Sequence, residues 1–233
     1  MGTSVQGLAT ACYCSRMALF LGYDPGGKGA HGVAQVEIDV DSGRVLRASS
    51  TRTATADAAL AYFVSAIATT TERAGGLGVD TLTEWCLGPS GWRQADLWLR
   101  ETYPKAANSV ISANSIYGSM CVNGVGLIHA LRRQDPGLVV TETHPKVLYF
   151  ALAGVKYDWA LSRPQMVAWI RELLGQPSMD VPSSDEFDAL LSAWACAQGV
   201  LGHWKRDLHV PMAGSTPVGS VVRPVGSTHY FWP

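Results

Sequence analysis

Short apolar runs and segments of helical periodicity alternate along the chain. Residues 19–23 form a compact apolar run, and residues 31–39 alternate apolar and polar positions as a half-buried strand does. An Asp41-Ser42-Gly43 turn then leads into a third candidate strand over residues 44–51. This pattern predicts a three-stranded antiparallel meander at the start of the fold.

Two more strands are predicted, and helices separate each of them from the strand before it. Residues 76–82 and 138–143 are short, apolar and preceded by turn-forming residues. Apolar positions at helical spacing predict helices over residues 55–73, 93–103, 122–134, 145–152, 163–174 and 183–204. The order predicts an α/β fold: a mixed five-stranded sheet, three antiparallel strands and then two parallel ones, flanked by helices. This is the order of the ribonuclease H-like fold.

Length and composition favour a single globular domain. The chain has 233 residues, of which 47% are hydrophobic, and this is enough to bury a sizeable core. We expect a flexible leader over residues 1–18 and a ribonuclease H-like domain over residues 19–209. Residues 210–233 are rich in Pro, Gly and Ser, and we expect this tail to pack on the domain.

Charge and cysteine content narrow the classes of function. The formal net charge is −1, so no overall positive field holds a long nucleic-acid backbone, and any contact with nucleic acid must be local. The five cysteines show neither a disulfide framework nor zinc-site spacing, which favours a reduced, cytoplasmic location. No apolar stretch approaches the roughly 18 residues of a membrane span. The sequence is compatible with a homo-oligomer.

Five acidic residues fall near the ends of the predicted elements. Asp24 follows strand one, Asp80 lies in strand four, and Glu142 lies near the end of strand five. Asp185 and Asp188 are three residues apart at the start of the last helix, so they share one of its faces. Because strands one and four are neighbours in this fold, we expect these carboxylates to gather at one edge of the sheet.

Ionised carboxylates that lie close together repel one another, and a divalent cation relieves that repulsion. We therefore expect Mg²⁺ or Mn²⁺ at this edge, with Glu142 shaping the site or ordering an attacking water. A pair of such ions can hold the attacking and leaving oxygens of a phosphoryl displacement. The expected metal ligands are Asp24, Asp80, Asp185 and Asp188.

The turn after Asp24 carries glycine at positions 26, 27 and 29. These glycines would leave space for a phosphate or a metal beside Asp24. An ordinary hairpin turn, closed by the aspartate side chain, would use the same residues.

Each acidic residue also has a purely structural interpretation. Asp80 could cap the following turn, and Glu142 could pair with Arg93 or His144. Asp185 could complement the helix dipole, because Ser183 and Glu186 form a capping-box pattern that puts it in the first turn. Asp188 is harder to explain in this way, since a carboxylate that faces the sheet needs a partner.

The motifs that contain these residues resemble a family of domains of unknown function that are predicted to be ribonuclease H-like nucleases. The matching segments are LGYDPGGKGAHGVA, GVDTLTEW, GWRQADLWLR, NGVGLIHALR, VTETHPKVLYFALAG and SSDEFDALLSAWA. By this resemblance all five acidic residues fall at the family's acidic positions. The Asp-x-x-Asp pair of the last helix is similar to that of RuvC-type junction resolvases. The chain departs from the family at residues 80–82, which are Asp-Thr-Leu where the family has Asp-Ala-Pro.

Four residues are candidate contacts to the substrate: Arg93, His144, Lys28 and Lys146. Arg93 and Asp96 match the family's Arg-x-x-Asp, and they either serve the substrate or form an ion pair that ties a loop to the sheet. His144 could shuttle a proton or cap a helix. Lys28, like Lys146, is a candidate by position alone.

The leading hypothesis is a divalent-metal-dependent phosphodiester hydrolase, a nuclease that uses Mg²⁺ or Mn²⁺. An actin-like or sugar-kinase-type ATPase is an alternative, because such proteins open with the same Asp-x-Gly-Gly turn on this fold. A non-catalytic module that uses the scaffold for binding or assembly is a third interpretation. The absent basic field and the altered motif after Asp80 favour that third interpretation.

Overall fold

The structure, a computed structural model, describes residues 16–27, 29–70, 73–116, 118–211 and 219–233. Most of the predicted leader, the candidate Lys28 and residues 212–218 of the predicted tail lie outside these ranges.

The elements follow the predicted order closely. The strands are Met17–Asp24 (β1), His31–Asp39 (β2), Val45–Thr53 (β3), Gly76–Val79 (β4), Trp85–Cys86 (β5), Val140–Glu142 (β6), Arg206–Asp207 (β7), Val221–Val222 (β8) and Phe231–Trp232 (β9). The α-helices are Ala56–Ala68 (α1), Gln94–Thr102 (α2), Gly118–Gln134 (α3), Pro145–Ala153 (α4), Trp159–Leu174 (α5) and Ser184–Val200 (α6). Two 3₁₀ turns, Ala107–Ser109 and Ala113–Ser115, lie between α2 and α3.

Five strands form one sheet in the order β3-β2-β1-β4-β6. β1, β2 and β3 pair antiparallel, whereas β4 pairs parallel to β1 on one side and to β6 on the other. This arrangement confirms the predicted ribonuclease H-like sheet. In its register Tyr23 lies opposite Val79, and Val79 lies opposite Glu142, so β1, β4 and β6 end side by side.

The ends of the fourth strand and of the chain differ from the prediction. β4 stops at Val79, so Asp80 is the first residue after the strand and not part of it. Its amide donates to Tyr23 O at 2.9 Å, which fixes Asp80 beside the end of β1. The sequence pattern did not predict the strand pairs β5–β8 and β7–β9. Nor did it predict the parallel bridge from Thr141 to His229.

Local sequence explains where the best-defined helices begin. Thr55 Oγ1 accepts from Ala58 N at 3.1 Å at the start of α1. Ser183 Oγ accepts from Glu186 N at 3.3 Å and donates to Glu186 Oε2 at 2.6 Å, so the predicted side-chain cap of α6 is present. None of the described helices has both the length and the apolar character needed to cross a membrane.

The sheet separates two apolar clusters. On one side α6 packs among α4 and α5, around side chains such as Phe20, Val36 and Phe187. On the other side α1 and α3 cover the sheet, and Phe63 of α1 belongs to the same apolar cluster as Leu21 of β1. The central sheet is therefore buried on both faces, as expected of a sheet with helical crossovers.

Three glycines on adjacent strands let α6 lie directly on the sheet. A Cβ atom at Gly22 in β1 would lie 1.9 Å from Ala189 O, and one at Gly78 in β4 would lie 2.0 Å from Ser192 O. A Cβ atom at Gly32 in β2 would lie 1.9 Å from the carbonyl oxygen of Asp185. The backbone of α6 therefore occupies the space that side chains would fill on three neighbouring strands. This contact fixes the position of the start of α6 relative to the ends of β1 and β4.

We expect Gly78→Ala to destabilise the protein, because the new methyl group meets a helix backbone that cannot rotate away. Overpacking of this kind typically costs about 1–3 kcal/mol. Gly126→Ala is the matched control, since Gly126 lies within α3 and a Cβ atom there meets nothing within 4 Å. That control should gain up to about 1 kcal/mol from helix propensity. Urea unfolding of both variants measures the difference, and equal free energies of unfolding would contradict the packing role of Gly78.

Candidate functional site

Four aspartates line one cavity at the ends of β1 and β4. Asp24 is the last residue of β1, and Asp80 directly follows β4. Asp185 and Asp188 lie in the first two turns of α6. The cavity measures about 360 Å³, and its other polar or aromatic walls include Lys146, Tyr157 and Trp159. The four predicted metal ligands therefore come together, as expected from the sheet order and the helix spacing.

The turn after Asp24 requires glycine at two positions. A Cβ atom at Gly26 would lie 1.7 Å from Ala30 O, and Gly29 has a φ of +68°. Asn123 Nδ2 in α3 donates to Gly26 O at 3.0 Å and holds the turn in place. Gly26 and Gly27 line the cavity, so the wall next to Asp24 is backbone without side chains, as the glycine pattern predicted.

Burial and mutual repulsion raise the pKa of three of these carboxyl groups. The pKa of Asp24 lies well above its usual range because of burial and because Asp80, Asp188 and Asp185 oppose its ionisation. Burial and Asp80 likewise raise the pKa of Asp188. The pKa of Asp80 is also raised by burial, although His144 and Lys146 act against this. Ionisation of these three carboxyl groups is therefore electrostatically unfavourable.

Two cations compensate part of this negative charge. Arg52 Nε in β3 lies 3.2 Å from Asp185 Oδ2, so Asp185 has its own counter-ion. The second cation is Lys146, whose residue is exposed overall. Partial desolvation lowers the pKa of its ammonium, but the four aspartates raise that pKa by more. Among the residues that the structure describes, Asp24, Asp80 and Asp188 therefore have one ammonium group, that of Lys146, for three carboxylates.

The donor atoms in the cavity have the chemistry of a hard divalent cation. Asp188 is 4% exposed, and its Oδ1 atom has no hydrogen-bond partner among the described residues. Burial, and then the neighbouring Asp188, raise the pKa of Tyr157. The Tyr157 hydroxyl likewise has no partner at full hydrogen-bond geometry among the described residues. Carboxylate oxygens that are short of partners fit Mg²⁺ or Mn²⁺ in type and charge.

The cavity is not a closed metal site. Within the described ranges, no group of three or more His, Cys, Asp or Glu side chains has the arrangement needed to hold a metal ion. One reason is visible at Asp185, whose carboxylate is held by Arg52. Asp24, Asp80 and Asp188 are the three that have no such arginine.

Glu142, which the sequence placed among the metal-site residues, belongs to a separate buried ion network. Arg93 NH2 lies 2.6 Å from Glu142 Oε1 and 2.7 Å from Asp96 Oδ1. Thr83 N donates to Glu142 Oε2 at 2.8 Å. Burial would raise the pKa of Glu142, but Arg93 and His209 outweigh it and hold that pKa well below its usual range. Glu142 therefore has Arg93 as a partner, which the sequence offered as its structural alternative, and its role in shaping the site or ordering a water stays a prediction.

Arg93 is likewise placed as a structural residue. Its side chain is 4% exposed, and its guanidinium also donates to Glu84 O at 3.3 Å. All of its described partners are carboxylates and a carbonyl of this chain, so Arg93 ties the loop after β4 to β6. The structural interpretation from the sequence describes Arg93 better than the substrate-contact interpretation does.

The same network anchors the end of the chain. His209 Nε2 lies 3.4 Å from Glu142 Oε2, and Arg223 pairs with Glu84. Next to this network Glu142 N donates to His229 O at 2.7 Å. No motif in the sequence pointed to these contacts, because they join residues more than 60 positions apart that have no characteristic spacing.

His144 and three further residues complete the surroundings of the aspartates. His144 is the N-cap residue of α4 but makes no side-chain cap, and its Nδ1 atom is buried without a partner among the described residues. Lys146, the second residue of the same helix, was indicated by position alone. Tyr157 and Trp159 come from the connection into α5, where no sequence pattern marked them as site residues.

Comparisons with known proteins add a structural likeness but no family. No protein-family model matches the chain, and no curated protein matches it by sequence. Among solved structures, RuvC from Thermus thermophilus matches with 17% sequence identity and a TM-score of 0.44, over 79% of this chain and 96% of that chain. The fold assignment follows from the strand order itself, and the specific family named from the motifs stays a prediction.

We expect Asp24→Asn to stabilise the metal-free protein at pH 7. A carboxyl group whose pKa is raised on folding favours the folded state below its unfolded pKa of about 3.9, and this contribution is lost as the pH rises through the folded value. The asparagine amide does not ionise, so it removes the cost of holding a carboxylate in this cavity at pH 7. The stability of the folded protein should therefore increase by at least about 1 kcal/mol at pH 7, and this increase should disappear near pH 4. Thermal melts in EDTA at several pH values measure it.

Asp185→Asn is the control for this prediction, because the Asp185 carboxylate already has Arg52 as its counter-ion. It should give no comparable gain at pH 7. A loss of stability in Asp24→Asn under the same conditions would contradict the repulsion described here.

We expect Arg93→Met to destabilise the protein by about 3–5 kcal/mol, because it removes the arginine that pairs with two buried carboxylates, Asp96 and Glu142. Arg52→Met is the control: its ion pair with Asp185 is half exposed and should be worth less than about 1 kcal/mol. Urea unfolding distinguishes the two variants. A free energy of unfolding for Arg93→Met equal to that of Arg52→Met would contradict the structural role of Arg93.

Proposed function

We propose that this protein is a divalent-metal-dependent phosphodiester hydrolase that cleaves nucleic acid, with Asp24, Asp80 and Asp188 as the metal-binding carboxylates. The observation that carries the proposal is the convergence of four aspartates on one cavity, where the described residues offer three of them a single ammonium. A protein that needed these residues only for stability would pair each of them, as it pairs Glu142 with Arg93.

Mg²⁺ or Mn²⁺ bound at these carboxylates would supply Lewis-acid stabilisation of the charge that develops on a phosphoryl group. Asp24 and Asp80 are suited to hold such an ion because the ends of paired strands fix their backbones. Asp188 is suited because its Oδ1 atom is buried without a partner in the described part of the chain. Asp185 would stay with Arg52 or turn into the cavity when the charge there becomes positive.

The remaining cavity residues are suited to bind and position the substrate. Lys146 reaches over the aspartates from α4 and can pair with a non-bridging phosphate oxygen. Gly26 and Gly27 present backbone without side chains, so a phosphodiester can approach Asp24 closely. Trp159 offers an aromatic face at the cavity wall, and Arg163 stacks over that ring at 5.8 Å. An aromatic face next to a cation is suited to a nucleobase and its phosphate.

His144 is the candidate proton carrier of the site. It lies close enough to Asp80 to lower the pKa of that carboxyl group. Its Nδ1 atom has no partner in the described part of the chain, so either ring nitrogen can carry the proton. We assign it the transfer of a proton to the leaving oxygen.

One observation favours a second candidate, a non-catalytic module that keeps the fold for binding or assembly. It is the lack, within the described ranges, of a group of carboxylates already arranged around a metal position. Under this interpretation Lys146 and Arg52 neutralise the cavity permanently.

The test is cleavage of single-stranded, duplex, hybrid and branched nucleic acids with Mn²⁺. We expect activity that EDTA abolishes and that Asp24→Asn lowers at least about 100-fold, because loss of a ligand removes several kcal/mol of charge stabilisation. Asp135→Asn is the control, since Asp135 lies in an exposed ion pair with Arg73. Equal activity in the wild type and Asp24→Asn would remove the proposal. No cleavage, together with a thermal shift by Mg-ATP but not by Mn²⁺, would favour the ATPase alternative.

A further inference from the structure

A second cavity adjoins the one that holds the aspartates. It measures about 160 Å³ and lies between the loop after β4 and the segment that carries residues 109–111, Ile116 and Met120. Its apolar walls are Leu82, Val110, Ile111, Ile116 and Met120. Asp80, Met120 and Lys146 line both cavities, so a molecule seated in one of them lies beside the other.

The floor of this second cavity selects against an anion. It is formed by Arg93, Asp96 and Glu142, which already hydrogen-bond to one another. All three are buried, and together they carry one more negative charge than positive. A phosphate placed there would face two carboxylates and an arginine that is already paired with both of them, so the floor suits an uncharged group.

The mouth of the cavity has the opposite preference. Lys146, a cation, lies at the wall shared with the aspartates and suits a phosphate. The two cavities together therefore match a molecule with an uncharged ring at one end and a phosphate at the other. The volume is below the roughly 300–1,000 Å³ of sites for drug-sized ligands, which fits one ring system and excludes a longer chain.

We propose that the second cavity binds one nucleobase of the substrate, the base attached to the nucleotide whose phosphate lies at Lys146 and the aspartates. This assignment rests on the proposed nuclease function and adds a base-specific contact to it. The apolar walls cover the faces of the base, and the adjoining aspartate cavity receives its phosphodiester. The protein would thus read one unstacked base next to the bond that it cleaves.

The first test uses the unaltered protein and small ligands. Binding of the four deoxynucleoside 5′-monophosphates and of deoxyribose 5-phosphate is measured by NMR titration in EDTA. We expect at least one nucleotide to bind tenfold or more tighter than deoxyribose 5-phosphate, because only a nucleotide has a base to fill the cavity. Equal affinities for all five ligands, or no binding at all, would overturn the assignment.

The second test blocks the cavity. Ile111 is 37% exposed, so Ile111→Trp can fill the cavity without entering the core. It should weaken the preferred nucleotide at least tenfold. Met17→Trp is the control, because Met17 is 52% exposed and lies at the opposite end of β1 from Asp24. Unchanged nucleotide binding in Ile111→Trp would contradict the assignment.

Cleavage measured with the same proteins separates this inference from the proposed function. If the wild type cleaves with Mn²⁺, but neither base identity nor Ile111→Trp affects cleavage or nucleotide binding, the nuclease function stands and the base site is wrong. If no protein cleaves, but nucleotide binding depends on the base and on Ile111, the base site stands and the nuclease function is wrong.

Discussion

Direct contact between the backbone of α6 and the central sheet is the constraint on which the rest of the structure depends. It is possible because Gly22, Gly32 and Gly78 put no side chains between the helix and three adjacent strands. A helix held one side chain further away would carry Asp185 and Asp188 away from the strand ends. The glycine row therefore explains both the close packing of the core and the crowding of the carboxylates.

This fold places two neighbouring groups of acidic residues in opposite electrostatic environments. Glu142 is enclosed by Arg93, Thr83 and His209, and its ionised form is strongly favoured. Asp24 and Asp188 are also buried, but among the described cations Lys146 is the one whose charge favours their ionisation, and their ionised forms are disfavoured. Glu142 thus has the partners that a structural carboxylate needs, whereas Asp24 and Asp188 keep a strained electrostatic environment of the kind that is common at binding and catalytic sites.

Sequence reasoning predicted what local patterns determine. Strand alternation and helix periodicity gave the sheet order, and the spacing of Asp185 and Asp188 gave their shared face. The partner of Glu142 could not be chosen in the same way, because a buried carboxylate binds an arginine or a metal depending on contacts between distant segments. Tyr157 and the anchoring of the chain end by His209 were missed for the same reason: each depends on tertiary packing and leaves no periodic signal.

The most direct test of the central claim is anomalous diffraction from crystals soaked in Mn²⁺. The account predicts an anomalous peak in the cavity, within ligand distance of Asp24, Asp80 and Asp188, with the Lys146 ammonium moved aside. A cavity without such a peak at saturating Mn²⁺, with Lys146 bound among the three carboxylates, would contradict it.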